Sequence, residues 1–427
     1  MKSLAFICLT NFILLHITCE AVVFKESPVI INTEQDWEYI TGFQALTRQY
    51  LIGKGKKYYY GSDNFGETWD KIFVNETLNI RNDVTAVAID DDGVAHNFGA
   101  IPFEIKNKTK YYQSLNSTFT TFFQYENDKF RYKYNPTQSI SFSGIPYPGA
   151  TCGDSKLAYG CPFRTGGRGI VKIMDEKSNK MVFVQSIIVY LDNEKYANPR
   201  EGLKNYATTL LSFRSVDGGF HWEYAGVILS AADVPESEEG PNENDLTVLN
   251  DGKTIMCVAR LDAGDGFLTH RYAPYVTIIS NDGGFTWGKP VTLPNSVGCA
   301  RPRLLALENA IVLSGGRLSP TNRDVLIWTN EKGDGKNWKQ QSVTYYHNQL
   351  SKDNETIPKF TNLVNHSTSR QSTSYTSLLR VGANTGIITY GIIYKRDHAK
   401  TGTAFSMKFE AKYLDNYRSV GEKLYHF

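Results

Sequence analysis

Short apolar runs separated by clusters of Gly, Asn and Asp set the rhythm of this chain. Asp83–Ile89, Gly169–Ile173, Ala207–Phe213, Tyr275–Ile279 and Gly386–Tyr390 are examples. Each has strand length, is rich in β-branched or aromatic residues and is bounded by turn residues. Helical spacing of apolar residues is sparse. The pattern predicts short antiparallel strands throughout.

One turn between such runs recurs. Ser280-Asn281-Asp282-Gly283-Gly284-Phe285-Thr286-Trp287 follows the form S-x-D-x-G-x-T-W. Ser215 to Trp222 keeps all of it but the Thr, and Ser62 to Trp69 has Asn64 in place of the Asp. An eroded fourth version spans Thr329 to Trp338. Ser and Asp oxygens can accept bonds from nearby backbone N–H groups, Gly can take positive φ, and the Trp ring can be buried between sheets. Repetition on this scale predicts a series of similar units. We count six: one holding Ser62, a second opening at Asp83, a third from Gly169 to Trp222, a fourth from Leu246 to Trp287, a fifth from about Pro302 to Trp338, and a sixth opening at Thr376. The expected fold is all-β, a six-bladed β-propeller of four-stranded antiparallel sheets, which protects its edges by radial packing. Residues 22–427 would form this single domain, with Ala404–Glu410 closing the ring against the N-terminal strand.

Residues 1–21 have the form of a signal peptide: Lys2, the apolar stretch Leu4–Ile17, then the small-residue end Cys19-Glu20-Ala21. A membrane anchor is the competing reading, and the stretch is short and interrupted by Thr10 and Asn11. A secreted, extracellular protein is therefore expected. Sequons at Asn75, Asn107, Asn116, Asn354 and Asn365 agree with that expectation. So does the even number of cysteines left after residue 21, namely Cys152, Cys161, Cys257 and Cys299. Of the three pairings open to them, Cys152–Cys161 with Cys257–Cys299 is preferred. No C-x-x-C pair and no His cluster suggests a metal, so neither metal nor cofactor is expected. The formal charge of +2 is almost balanced, with no basic run for nucleic acid and no second apolar stretch long enough to span a membrane.

The repeated turn is the Asp-box, and it resembles the turns on the propeller blades of sialidases. The resemblance is good from about Gly169 to Tyr394, and at the fourth to sixth units it reaches single residues. Glu243-Asn244-Asp245-Leu246, followed by the Asn250-Asp251-Gly252 turn and Val258-Ala259-Arg260, is similar to the sialidase segment in which a Glu precedes a hairpin ending in Arg. Leu313-Ser314-Gly315-Gly316-Arg317 and Asn322-Arg323-Asp324-Val325 resemble the part supplying another Arg, with Arg323 the match. Ser372 to Leu378 places Tyr375 where that family has its nucleophile. The resemblance implies release of terminal sialic acid with retention. Tyr375 would attack, Glu243 would serve as its base, and Arg260 and Arg323 would grip the sugar carboxylate. A neutral Tyr avoids the repulsion that an anionic nucleophile would meet from that carboxylate. Sialylated or other acidic glycans are the expected partners.

The resemblance stops at two places. The F-R-I-P motif that carries a third sialidase Arg is absent, which leaves Arg164, Arg168 or Arg301 to fill the role, or nothing. Arg168, in Cys161 to Gly169, followed by Asp192, has plausible spacing. The general acid is open between Asp192 and Asp262. Each site residue also has a plainer reading: Tyr375 as one sheet tyrosine among 26, Glu243 as a solvated acid, Arg260 and Arg323 as partners of Asp262 and Asp324. A carbohydrate-binding propeller without turnover, and a receptor-like propeller for peptides, stand as alternatives to the enzyme.

Overall fold

A computed structural model describes residues 21–35, 40–45, 48–53, 58–73, 87–89, 95–97, 120–126, 129–135, 141–144, 164–175, 178–190, 195–197, 199, 208–237, 240–262, 274–293, 301–316, 324–361, 371–373, 375–396 and 399–412. Six sheets follow one another along the chain as the blades of a β-propeller. The first blade runs Ile40–Ala45, Arg48–Gly53, Tyr58–Ser62, Asp70–Phe73, and the second Val87–Ile89, Ala95–Asn97, Thr120–Glu126, Lys129–Asn135. The third is Arg164–Asp175, Lys180–Tyr190, Thr208–Ser215, His221–Leu229, with Ser141–Ser143 added in parallel on its outer edge. The fourth is Gly240–Val248, Ile255–Asp262, Val276–Ser280, Val291–Thr292, and the fifth Arg303–Ala306, Ile311–Gly316, Val325–Asn330, Trp338–Ser342. In the sixth, Gln371–Thr373 and Ser377–Arg380 both pair with Thr385–Arg396, which pairs with Ala399–Ala411.

The N-terminal strands Val22–Phe24 and Val29–Gln35 complete the sixth blade by pairing with Ala399–Ala411, so the ring is closed by the two ends of the domain as the sequence suggested. Gln341 clasps this junction to the fifth blade. Its Oε1 accepts from the Val22 N–H at 2.9 Å, and its Nε2 donates to the Val22 carbonyl at 2.9 Å.

The middle strands are buried on both faces, and their alternation decides which neighbour each residue meets. Along Ile255–Asp262, residues Ile255, Cys257, Ala259 and Leu261 pack against Val184 and Leu210 of the third blade. Met256 and Val258 pack against Leu313, Leu326 and Trp328 of the fifth. Val312, Val325 and Ile327 turn the other way, onto Ile388 and Phe405 of the sixth. Cys257 is a buried free thiol, so the expected Cys257–Cys299 bridge is not formed. Its side chain belongs to the apolar layer between blades, and burial pushes its thiol pKa up. Cys152 and Cys161 lie outside the described residues.

The four recurring turns each join the third strand of a blade to the fourth. In the Ser215 turn the Gly219 N–H donates to Ser215 Oγ, the Phe220 and His221 N–H groups donate to Asp217 Oδ1, and Trp222 Nε1 donates back to the Gly219 carbonyl. The Ser280 turn repeats this around Asp282. In the fourth copy Asn330 replaces the Ser, accepting from the Gly335 N–H, while Trp338 Nε1 donates to the Gly335 carbonyl. Gly284 shows why the glycine is needed. Its φ is +94°, and a Cβ there would stand 2.8 Å from Val184 of the preceding blade.

Three elements depart from the sequence reading. The fourth blade begins at Gly240, not Leu246, and the third at Arg164, not Gly169. The extra stretch of the fourth blade is polar because Glu243 and Asp245 meet Arg260, Arg301 and Arg303 instead of filling an interblade layer. The eight-residue helix Val343–Leu350 was not anticipated. Ser342 caps it by accepting from the Tyr345 N–H at 3.1 Å.

Candidate active site

The innermost strands of adjacent blades touch around the axis: Arg164–Asp175 against Gly240–Val248, that strand against Arg303–Ala306, and that in turn against Ser377–Arg380. The recurring turns occupy one rim, since Ser280 pairs with Ile255, which pairs with Val248. The opposite rim holds the beginnings of the inner strands, and there the charged residues gather.

Glu243 lies on the inner strand of the fourth blade, where the register against Ile255–Asp262 shifts between Pro241 and Asn244. Such a bulge re-aims a side chain, and bulges of this kind are frequent beside functional sites. Arg260, on the adjacent strand at the same rim, donates from Nη1 to Glu243 Oε2 at 2.9 Å. Arg301, just before the inner strand of the fifth blade, donates its backbone N–H to the same oxygen at 2.9 Å and its Nε to Oε1 at 3.4 Å. The Tyr375 hydroxyl, from just before Ser377–Arg380, hydrogen-bonds to the Glu243 carboxylate. The Arg301 guanidinium carbon stands 4.8 Å over the Tyr375 ring. Burial alone would push the Glu243 pKa up. The Arg260 and Arg301 charges, the Arg301 N–H and the Tyr375 hydroxyl outweigh it and pull the pKa down to about 2.

A second charged layer lies behind this one. Asp245 accepts from the Leu304 N–H at 2.9 Å, and Arg303 Nη1 is 4.0 Å from the same oxygen. Burial first, then repulsion from Arg301, lowers the Arg303 pKa to about 10, against the pull of Asp245, Glu243 and Tyr375.

Of the residues singled out from the sequence, the structure brings Glu243, Arg260 and Tyr375 together. Arg301, one of several candidates for a third arginine, joins them. Arg164 and Arg168 fall on the inner strand of the third blade, at the register shift between Thr165 and Ile170, and their side chains lie outside the description. Arg323 and Asp192 lie outside the described residues, as does the side chain of Asp262. Sequence reasoning passed over Asp245 and Arg303. A signal was present: Glu-x-Asp at 243–245 and Arg-x-Arg at 301–303 each put like charges two residues apart, the spacing of one strand face, and the two pairs are opposite in sign on or just before successive inner strands.

The chain matches no protein-family model and no curated protein. Among solved structures, a protein of unknown function from Dyadobacter fermentans superposes with a TM-score of 0.53 at 14% identity, covering 92% of this chain and 100% of that one. An α-L-arabinofuranosidase from Fusarium graminearum, in complex with an iminosugar inhibitor, has a TM-score of 0.48 at 12% identity, covering 89% of this chain and 97% of that one. A leech intramolecular trans-sialidase has a TM-score of 0.45 at 11% identity, covering 90% and 71%. The first of these likenesses shows a shared fold.

Proposed function

We propose that this chain is a retaining glycosidase that releases a terminal acidic sugar, sialic acid being the one to which the sequence resemblance points. The observation that carries the reading is the hydrogen-bonded pair Tyr375–Glu243, flanked by Arg260 and Arg301 at the propeller axis. Tyr375 Oη attacks the anomeric carbon as its proton passes to Glu243, and the leaving glycan oxygen departs with the bonding pair and takes up a proton from a general acid, for which the sequence offers Asp192 or Asp262. Water, giving a proton to the same acid now acting as base, then displaces Tyr375 from that carbon while Glu243 returns its proton to Tyr375 Oη, so two inversions retain the configuration. Neutral Tyr nucleophiles are the known exception to the two-carboxylate scheme. Arg260 and Arg301 take the sugar carboxylate, and Arg323 and Arg168 are assigned to the same task from the sequence. Once a bound carboxylate shares those guanidinium groups, Glu243 loses part of what depresses its pKa and becomes a stronger base. Export, with the Asp-box turns as the scaffold signature, belongs to the same proposal and rests on residues 1–21 and the sequons.

The test is release of a fluorescent leaving group from an α-sialoside. Turnover is expected in the wild type, with a fall of several orders of magnitude in Tyr375→Phe. A second reading, a carbohydrate-binding propeller without turnover, is favoured by one observation: a carboxylate held near pKa 2 is a weak base in the unliganded protein. Sialic acid binding by an inert wild type would select that reading.

A further inference from the structure

We propose that Arg303 holds a small monovalent anion of the halide class in the interior of the site, behind the Glu243–Tyr375 pair. This goes beyond the glycosidase reading and requires no turnover. Arg303 is 1% exposed, and its Nε, Nη1 and Nη2 have no hydrogen-bond partner. Unpaired charged donors in an interior are costly, and native proteins meet them with water or an ion.

The nearest acid does not meet that demand. Asp245 Oδ2 is 4.0 Å away and already accepts from the Leu304 N–H, while its Oδ1 accepts from the Leu246 N–H at 3.1 Å. Glu243 is engaged by Arg260, Arg301 and Tyr375. Three guanidinium groups, Arg260, Arg301 and Arg303, face two carboxylates, Glu243 and Asp245. Among the described residues the guanidinium groups of this cluster outnumber its carboxylates by one, and Arg303 is the one without a hydrogen bond. A monovalent anion offsets that charge and accepts from two adjacent nitrogens along one edge of the Arg303 guanidinium. Water would accept from them but leave the charge, and a divalent oxyanion would reverse it.

The experiment uses the full chain, dialysed free of halide into sodium gluconate, which is replaced stepwise by sodium bromide at constant ionic strength. In the wild type Tm rises by about 2–4 °C, and in Arg303→Met bromide has no effect. Crystals grown in bromide show an anomalous peak within hydrogen-bonding reach of the Arg303 guanidinium. A wild type indifferent to bromide and lacking that peak overturns the proposal, as does a bromide effect that persists in Arg303→Met. Should Arg303→Met fail to fold, diffraction from the wild type decides alone. Sialoside turnover measured on the same samples separates the two ideas. A bromide site without turnover removes the glycosidase and keeps the anion, and turnover without a bromide site does the reverse.

Discussion

Phe65 occupies a place that sister turns give to glycine. Its φ is +58°, where Gly218 and Gly283 have +80° and +75°, and its ring is 42% exposed. A bulky side chain held in the left-handed region costs about 1–2 kcal/mol, partly offset because glycine loses about 0.5–1 kcal/mol more freedom on folding. Phe65→Gly should therefore raise the denaturant midpoint, by about 0.5–1 kcal/mol of stability; a lowered midpoint would show that the ring is needed where it sits. Glu243 makes a different residue-scale statement. Its pKa is held near 2, below the ordinary 4.5, so the stability it contributes is fully present above pH 4.5 and is lost as pH falls toward 2. Glu243→Gln should flatten that acid limb of the stability profile, because the variant has no carboxylate to protonate. The position of Tyr375 beside Glu243 was legible from its order after Glu243 and Arg260. The burial of Arg303 was not, because the Arg301-Pro302-Arg303 pattern looks the same whether it faces solvent or an axis.

At the scale of elements, the helix Val343–Leu350 is fastened by His347. Its Nε2 lies 2.9 Å from the Pro358 carbonyl and so carries the proton, and its Nδ1 accepts from the Tyr390 hydroxyl at 2.9 Å. The ring packs edge-on against Phe360 and Phe405. Burial, with a smaller contribution from Lys359, lowers the His347 pKa to about 4 despite the Pro358 carbonyl. The folded protein then binds fewer protons than the unfolded chain between pH 6.5 and 4, so stability falls as pH drops through that window. The expected loss is about 3 kcal/mol relative to His347→Gln. Urea titrations at pH 7 and pH 4 measure it, and parallel profiles for the two proteins would exclude it. This helix escaped the sequence reading because its apolar and polar residues alternate ambiguously over only eight positions. The strands were legible because two-faced burial demands an almost unbroken apolar run.

Ring closure governs the whole molecule. The sixth blade is finished by Val22–Phe24 and Val29–Gln35, and the first blade docks onto it through a relay: Trp69 Nε1 donates to Ser406 Oγ at 2.9 Å, and Ser406 Oγ donates to the Gly66 carbonyl at 3.2 Å. Removing residues 22–35 exposes the edge of Ala399–Ala411 and breaks the Gln341 clasp. The truncated chain should lose its cooperative melting transition and aggregate, which scanning calorimetry and light scattering would register. A monomeric truncation with the wild-type Tm would disprove this account of closure.

Local information sufficed for the repeat: turn chemistry, strand length and the closing strand are written in neighbouring residues, because a β-turn and a two-faced strand depend on little beyond their own sequence. The order of Glu243, Arg260 and Tyr375 was equally open to reading. Only the closed ring decided that Arg301 stands over Tyr375, that Arg303 is sealed in without a hydrogen-bond partner, and that Cys257 faces an apolar layer instead of a disulfide partner. These outcomes depend on which blades meet at the axis and on which face of a strand each side chain emerges. Contacts between residues far apart in the chain set both.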